Sequence, residues 1–293
     1  MTFTAGAVSA ANSTITVSPG SVLADGTATT TITVTAKDGS GNVIAGIAAA
    51  NVVLTSSGTA NTLVQPSAAT DAAGQTTGTL ASTKAQTKTV SVTINGVAIT
   101  QTANVTFTAG PLDHFAFNTI GTQTAGTAFS VTITAQDVND NTVTSFTGTV
   151  NLTTTAGTIS PVTSGAFTTG VRTQNVTVTQ AGAGKTITAT DAGGSGKLGT
   201  SNSFTVNPGT VSAADSTITV SPGSVQADGS ATTTITVTAK DANGNVIPGI
   251  TPANVVLAAT GTGNNLTQPS AVTDAAGQTT GTLASTVPES KTV

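Results

Sequence analysis

The most regular feature of the chain is an alternation of apolar and polar positions in short runs. Over Thr29–Lys37 (TTTITVTAK), Ile32, Val34 and Ala36 fall on one parity and Thr31, Thr33 and Thr35 on the other. A period of two marks a β-strand with one buried face. Lys88–Ile94 repeats the pattern with Val90, Val92 and Ile94. Asn95-Gly96 follows, a pair that tolerates the positive φ angles of a tight hairpin. Val97–Thr108 is expected to return as its partner, with Val97, Ile99, Ala103, Val105 and Phe107 in one parity. Further strands are predicted over Ser13–Ser18, Asn51–Thr55 and Thr76–Ala81. The turn signals Asp25-Gly26, Asp38–Asn42 and Asp71–Gly74 separate them.

A longer period overlies this one. Val8 to Val90 aligns with Val211 to Val293 without a gap, at a constant offset of 203. About three-quarters of the paired residues are identical. The differences gather at Gly39–Ser40, Ala45–Ala49, Thr55–Val64 and Lys84–Thr87, which read as loops drifting over a fixed strand frame. Phe3-Thr4-Ala5-Gly6 recurs as Phe107-Thr108-Ala109-Gly110 and, more loosely, in Phe204–Gly209. Residues 1–6 are therefore expected to be the last strand of an upstream repeat. A first repeat then runs over 7–110, a middle repeat over 111–209 and a third over 210–293. The third stops short of a counterpart to Ser91–Thr108.

The middle repeat has other residues on a similar plan, with strands predicted at His114–Asn118, Phe129–Gln136, Thr147–Thr153, Arg172–Thr179, Lys185–Thr190 and Ser203–Asn207. Helix formers are scarce, since Glu289 is the only glutamate and roughly a quarter of all residues are the β-branched Thr. About seven short strands per hundred residues is the signature of an immunoglobulin-like sandwich. The expected fold is all-β: tandem immunoglobulin-like β-sandwiches arranged as beads on a short-linkered string. A β-helix would need a short repeating rung, which is not visible.

Several segments resemble a known family. Ala24–Thr30 (ADGTATT), Val34–Asp38 (VTAKD), Thr70–Gln75 (TDAAGQ) and Gly78-Thr79-Leu80 are similar to the bacterial immunoglobulin-like group 1 domain of invasin- and intimin-type adhesins. The same segments stand at Ala227–Thr233, Val237–Asp241, Thr273–Gln278 and Gly281–Leu283. Residues 111–209 lack them and resemble a different bacterial immunoglobulin-like repeat. The resemblance implies an exported, extracellular array on a bacterial cell surface, spacing a distal adhesive tip.

Composition narrows the partners. Charged residues make up 7% of the chain, and seven Lys and one Arg against twelve acids leave a net charge of −4. Nucleic-acid binding needs a dense basic stripe, so it is excluded. No run is long and apolar enough to insert into a membrane, and the N-terminus has no signal-peptide pattern. There is no cysteine, and a domain of about 100 residues can stand on its core alone.

Candidate chemistry is sparse. The only histidine, His114, follows Asp113, but neighbours on a strand point to opposite faces, so the pair is not expected to converge. Asp137-Val138-Asn139-Asp140-Asn141 reads like an oxygen-rich calcium segment, which makes Asp137, Asn139, Asp140 and Asn141 the metal candidates. The same place holds Asp38–Asn42 and Asp241–Asn245, which read as ordinary turn chemistry. Lys37 and Lys240, each followed by Asp, raise a Lys–Asn crosslink, although that needs a buried acid beside the pair. No catalytic set, and no cofactor other than calcium, is expected.

The expectation is thus a non-enzymatic stalk of a surface adhesin. Its partners are neighbouring repeats, and a host-cell or matrix receptor is reached through a distal domain. Two alternatives are direct contact with a glycan or host protein through the variable loops Thr55–Val64 and Thr260–Thr267, and an accessory role in a secreted polysaccharide-degrading enzyme.

Overall fold

The computed structural model describes residues 1–293. The chain divides into two compact units. One comprises Met1–Ala116, Thr134–Gly148 and Ala166–Arg172; the other comprises Phe117–Ile133, Thr149–Gly165 and Thr173–Val293.

The first unit contains the whole first repeat. Its strands are β1 (Thr14–Ser18), β2 (Ser21–Leu23), β3 (Thr30–Thr35), β4 (Val52–Ser56), β5 (Asn61–Val64), β6 (Gln75–Ser82), β7 (Thr87–Ile94), β8 (Val97–Ala98) and β9 (Ala103–Thr108). One sheet has the order β1-β3-β6-β5. The other runs β2-β9-β7-β4, with β8 beside β7. The alternation in the sequence becomes the core between them. Ile32 and Val34 on β3, Val90, Val92 and Ile94 on β7, and Val105 and Phe107 on β9 are all buried. They cluster with Ile15, Leu54 and Leu80. Each such side chain contributes about 1.5–3 kcal/mol by leaving water.

Some expectations need correction here. Val97–Thr108 is not one strand. Ile99 N–H bonds back to Val92 O and Thr100 N–H to Ala10 O, which ends β8 and separates it from β9. The stretch Thr55–Val64, expected to be loop, holds the end of β4 and all of β5, whose Leu63 pairs with Leu80 of β6. The short β2 lies parallel to β9, Ser21–Leu23 against Thr106–Thr108.

The middle repeat supplies β10 (His114–Phe117), β11 (Gln123–Thr124), β12 (Phe129–Gln136), β13 (Val150–Thr154), β14 (Ile159–Ser160), β15 (Val171–Val178), β16 (Gly182–Lys185), β17 (Ile187–Asp191), β18 (Leu198–Thr200) and β19 (Phe204–Asn207). They form sheets of order β10-β12-β15-β14, β11-β19-β16 and β13-β17-β18. Aromatic side chains do much of the filling. In the first unit Phe115, Phe146 and Phe167 meet with ring centroids 5.0–5.8 Å apart. In the second, Phe129 meets Phe204 edge-on at 6.0 Å. Such offset and T-shaped contacts suit the ring quadrupole.

The third repeat, in the second unit, forms one sheet from β20 (Thr217–Ser221), β21 (Thr233–Thr238), β22 (Asn264–Thr267) and β23 (Gln278–Ser285), in the order β20-β21-β23-β22. Its register copies the first repeat: Thr217 faces Thr238 as Thr14 faces Thr35. Every connected element in the chain is a strand, turn or single 3-10 turn, so the all-β expectation holds.

Candidate functional site

The residues singled out for chemistry fall on one recurring turn. In the middle repeat it leaves the end of β12. Asp137 N–H bonds to Asn141 O and Asp140 N–H to Asp137 O, closing the loop on itself. The fourth position is left-handed in all three copies, with φ of 86° at Gly41, 59° at Asp140 and 79° at Gly244. Glycine and aspartate tolerate that conformation, which is why these types stand there.

The aspartate holds the turn from inside. Asp137 Oδ1 accepts from Asn139 N–H and Asn141 N–H, both at 2.9 Å. Its Oδ2 accepts from Gly110 N–H at 2.8 Å and from the Asn141 side-chain amide at 3.0 Å. Asp241 does the same with Asn243, Asn245 and Gly209, and Asp38 with Ser40, Asn42 and Gly6. In each case the glycine lies in the link that leads into the repeat.

Burial alone raises the Asp137 carboxyl pKa, but hydrogen bonds from Gly110, Asn141 and Asn139 outweigh it and hold the group below the usual range. Asp241 behaves alike, burial being overcome by Asn245, Gly209 and Asn243. At Asp38 the Gly6 N–H leads, followed by the Asn42 side chain, and the pKa is lowered to about 2.

The four calcium candidates therefore do not converge as ligands. Asp137 spends its lone pairs on N–H donors. Asn139 donates Nδ2 to Ala24 O at 3.1 Å, and Asn141 donates Nδ2 to Thr83 O at 2.9 Å. Asp140 turns its Oδ1 to His114 Nε2, 3.3 Å away. No group of three or more His, Cys, Asp or Glu side chains is placed to hold a metal ion. A hard cation needs six to eight oxygens facing it, whereas here the donors face the oxygens.

His114 corrects another expectation. Its Nδ1 lies 3.3 Å from Asp113 Oδ2, so the two neighbours do meet. Asp113 precedes β10, and strand alternation does not yet govern it. The other ring nitrogen, which a nucleophilic hydroxyl would have to use, faces Gln136 Oε1 at 3.1 Å and Asp140. This is a polar pin on the turn rather than a catalytic pair. Asp38 and Asp241, the acids beside Lys37 and Lys240, are committed to their turns and do not serve a crosslink.

Sequence reasoning missed two sets of groups. One is the backbone that receives the turn: Ala85 N–H donates to Asn141 Oδ1 at 2.8 Å, and Ala181 N–H to Asn245 Oδ1 at 2.9 Å. The recurrence of Asp and Asn four apart in three repeats was the available signal. The other is Lys88, which is fully buried, with Nζ 2.7 Å from Thr59 O and 5.8 Å from the Phe107 ring centroid. Only its inward parity on β7 foreshadows it.

Comparison with known proteins adds the following. The family model described as Invasin, domain 3 matches residues 9–110. The model described as Bacterial Ig-like domain (group 1) matches residues 215–293. No curated protein sequence matches the chain. Among solved structures, the Escherichia coli adhesin FdeC is 22% identical with a TM-score of 0.54, over 97% of this chain and 91% of that one. Yersinia pseudotuberculosis InvD is 23% identical with a TM-score of 0.50, over 96% of this chain and 81% of that one. At these identities the likeness is one of fold.

Proposed function

Since residues 9–110 match the invasin domain 3 family and residues 215–293 the bacterial Ig-like group 1 family, we propose that the chain is a non-enzymatic spacer in an extracellular, cell-surface adhesin of a bacterium. In this reading a distal module carries the receptor contact, and these repeats set its distance from the cell. The observation that supports it most is the character of the links. The connection from β9 to β10 runs only from Ala109 to Asp113, and its Gly110 is tied to Asp137 of the repeat that follows. Pro111 restricts that connection further, and Pro208 stiffens the link that follows β19, whose Gly209 is tied to Asp241. That FdeC is an adhesin fits this role.

Direct ligand binding by the repeats has less behind it. The segments Thr55–Val64 and Thr260–Thr267 contain no aromatic residue, and aromatics dominate sugar stacking and protein hot spots. Small-angle scattering of the purified chain tests the proposal. The expected particle is elongated, on the order of 40 Å per repeat from strands rising about 3.3 Å per residue. A compact particle, or saturable binding of the purified chain on a glycan or matrix-protein array, overturns it.

A further inference from the structure

The asparagine that closes each turn does more than close it. In the first unit, Asn141 sends Nδ2 to Thr83 O and receives Ala85 N–H on Oδ1. Thr83 and Ala85 lie in the first repeat, between β6 and β7, more than fifty residues from the turn. In the second unit, Asn245 treats the middle repeat alike, sending Nδ2 to Thr179 O and receiving Ala181 N–H. A side-chain amide has two N–H donors and an acceptor oxygen. Here one N–H holds the turn aspartate, and the other N–H and the oxygen meet a backbone carbonyl and N–H two residues apart. The receiving residues are Thr and Ala in both repeats, with Lys84 in one and Gln180 in the other between them, and each bonds through its backbone alone. Recognition therefore rests on backbone groups.

The same turn has a third copy. Asn42 is exposed, and its amide bonds its own Asp38 at 3.0 Å while Asp38 holds Gly6. We propose that the Asp-x-x-x-Asn turn is a plug that couples each repeat to the loop of the repeat before it. On this view the face around Asn42 docks a further immunoglobulin-like repeat. The partner it fits is a loop with a free carbonyl at one residue and a free N–H two residues on. The rule also excludes partners: the position matching Ala85 in the third repeat is Pro288, which has no N–H to give. The coupling stands on these bonds whatever the array carries at its tip.

Residue-resolved hydrogen exchange on the full chain tests the two occupied joints. Asn141→Ala is expected to speed exchange of the Ala85 amide about tenfold, as the loss of one buried hydrogen bond does, and Asn245→Ala that of Ala181. The Ile32 and Val34 amides, deep in the first repeat, report that it remains folded. For Asn42, a chain of residues 111–209 followed directly by 7–293 places a Thr179–Ala181 loop ahead of it, because Gly209 and Gly6 are matching positions. In that chain, with the leading copy isotope-labelled alone, its Ala181 amide is expected to be protected and to lose protection in Asn42→Ala. Unchanged exchange in the Asn141 and Asn245 variants overturns the plug. A leading copy whose Ala181 amide exchanges freely overturns the docking role of Asn42. Neither result bears on the scattering test of the spacer.

Discussion

Each turn aspartate is solvated by the chain rather than by water, and that sets how acid acts on the molecule. Asp38 titrates at about 2 when folded, below the ordinary 3.8 of an aspartate. A carboxyl lowered by folding adds stability above its unfolded pKa, and that stability is lost as the pH falls through the folded one. The melting temperature should therefore drop between about pH 4 and pH 2. Asp38→Asn should melt below the parent chain at pH 6 and converge on it by about pH 2; a constant gap by calorimetry contradicts the assignment. Lys88 has the opposite dependence. Burial pushes its pKa down, so the folded state holds fewer protons than the unfolded one just below the ordinary lysine range. Stability from this group rises with pH through that window. Lys88→Met, which keeps the packing against Phe107, should abolish the alkaline rise seen in urea titrations of the parent.

Among the elements, β4 is the one whose edge needs an explanation. It pairs with β7 on one side only. On the other, Gln65 acts as a piece of strand: its Oε1 accepts Leu54 N–H at 2.8 Å and its Nε2 donates to Leu54 O at 2.9 Å. Gln268 does the same to Leu257 in the third repeat. Gln65→Ala leaves both backbone groups of Leu54 without these partners and should cost about 1–3 kcal/mol by chemical denaturation. Gly78 lies where β6 passes the chain beside it: a Cβ there would stand 2.4 Å from Val64 O and 2.5 Å from Leu54 Cδ1. Gly78→Ala should lose about 1–3 kcal/mol, because a backbone oxygen cannot swing aside. These features also mark what the sequence could tell. The alternation of β3 and β7 was legible because a period of two records a buried face directly. The strand β2 was not, since its parallel pairing with β9 joins residues some eighty positions apart, and in β5 the inward Leu63 is followed by an exposed Val64, which blurs the alternation. The turn residues were legible as a turn. Their partners Thr83, Ala85, Thr179 and Ala181 were not, because backbone groups leave no trace in residue type.

On the scale of the whole molecule, two nearly identical sequences have reached different degrees of burial. Ile15 in β1 is 1% exposed, whereas Ile218, at the same place in an identical TITVS strand, is 45% exposed. Local sequence cannot be the cause. In the first repeat the facing sheet of β2, β9, β7 and β4 covers Ile15; the third repeat has one sheet, and Ile218, Val237, Ala239 and Leu257 line an open cleft of about 700 Å³. Val255–Ala259, the counterpart of β4, forms no strand, because β4 owes its pairing to β7. Strand formation here follows the partner, as expected when β-propensity records packing more than backbone preference. The consequence can be measured by placing a copy of Ser91–Thr108 directly after Val293, where the repeat register puts it. The added residues should pair with Val255–Ala259 as β7 pairs with β4, and cover Ile218. Amides of Ile235 and Val237 should then exchange at least about tenfold more slowly, approaching those of Ile32 and Val34. Exchange at Ile235 that does not respond would mean that the single sheet is already as stable as a closed sandwich, and that the buried second face contributes far less than its apolar area implies.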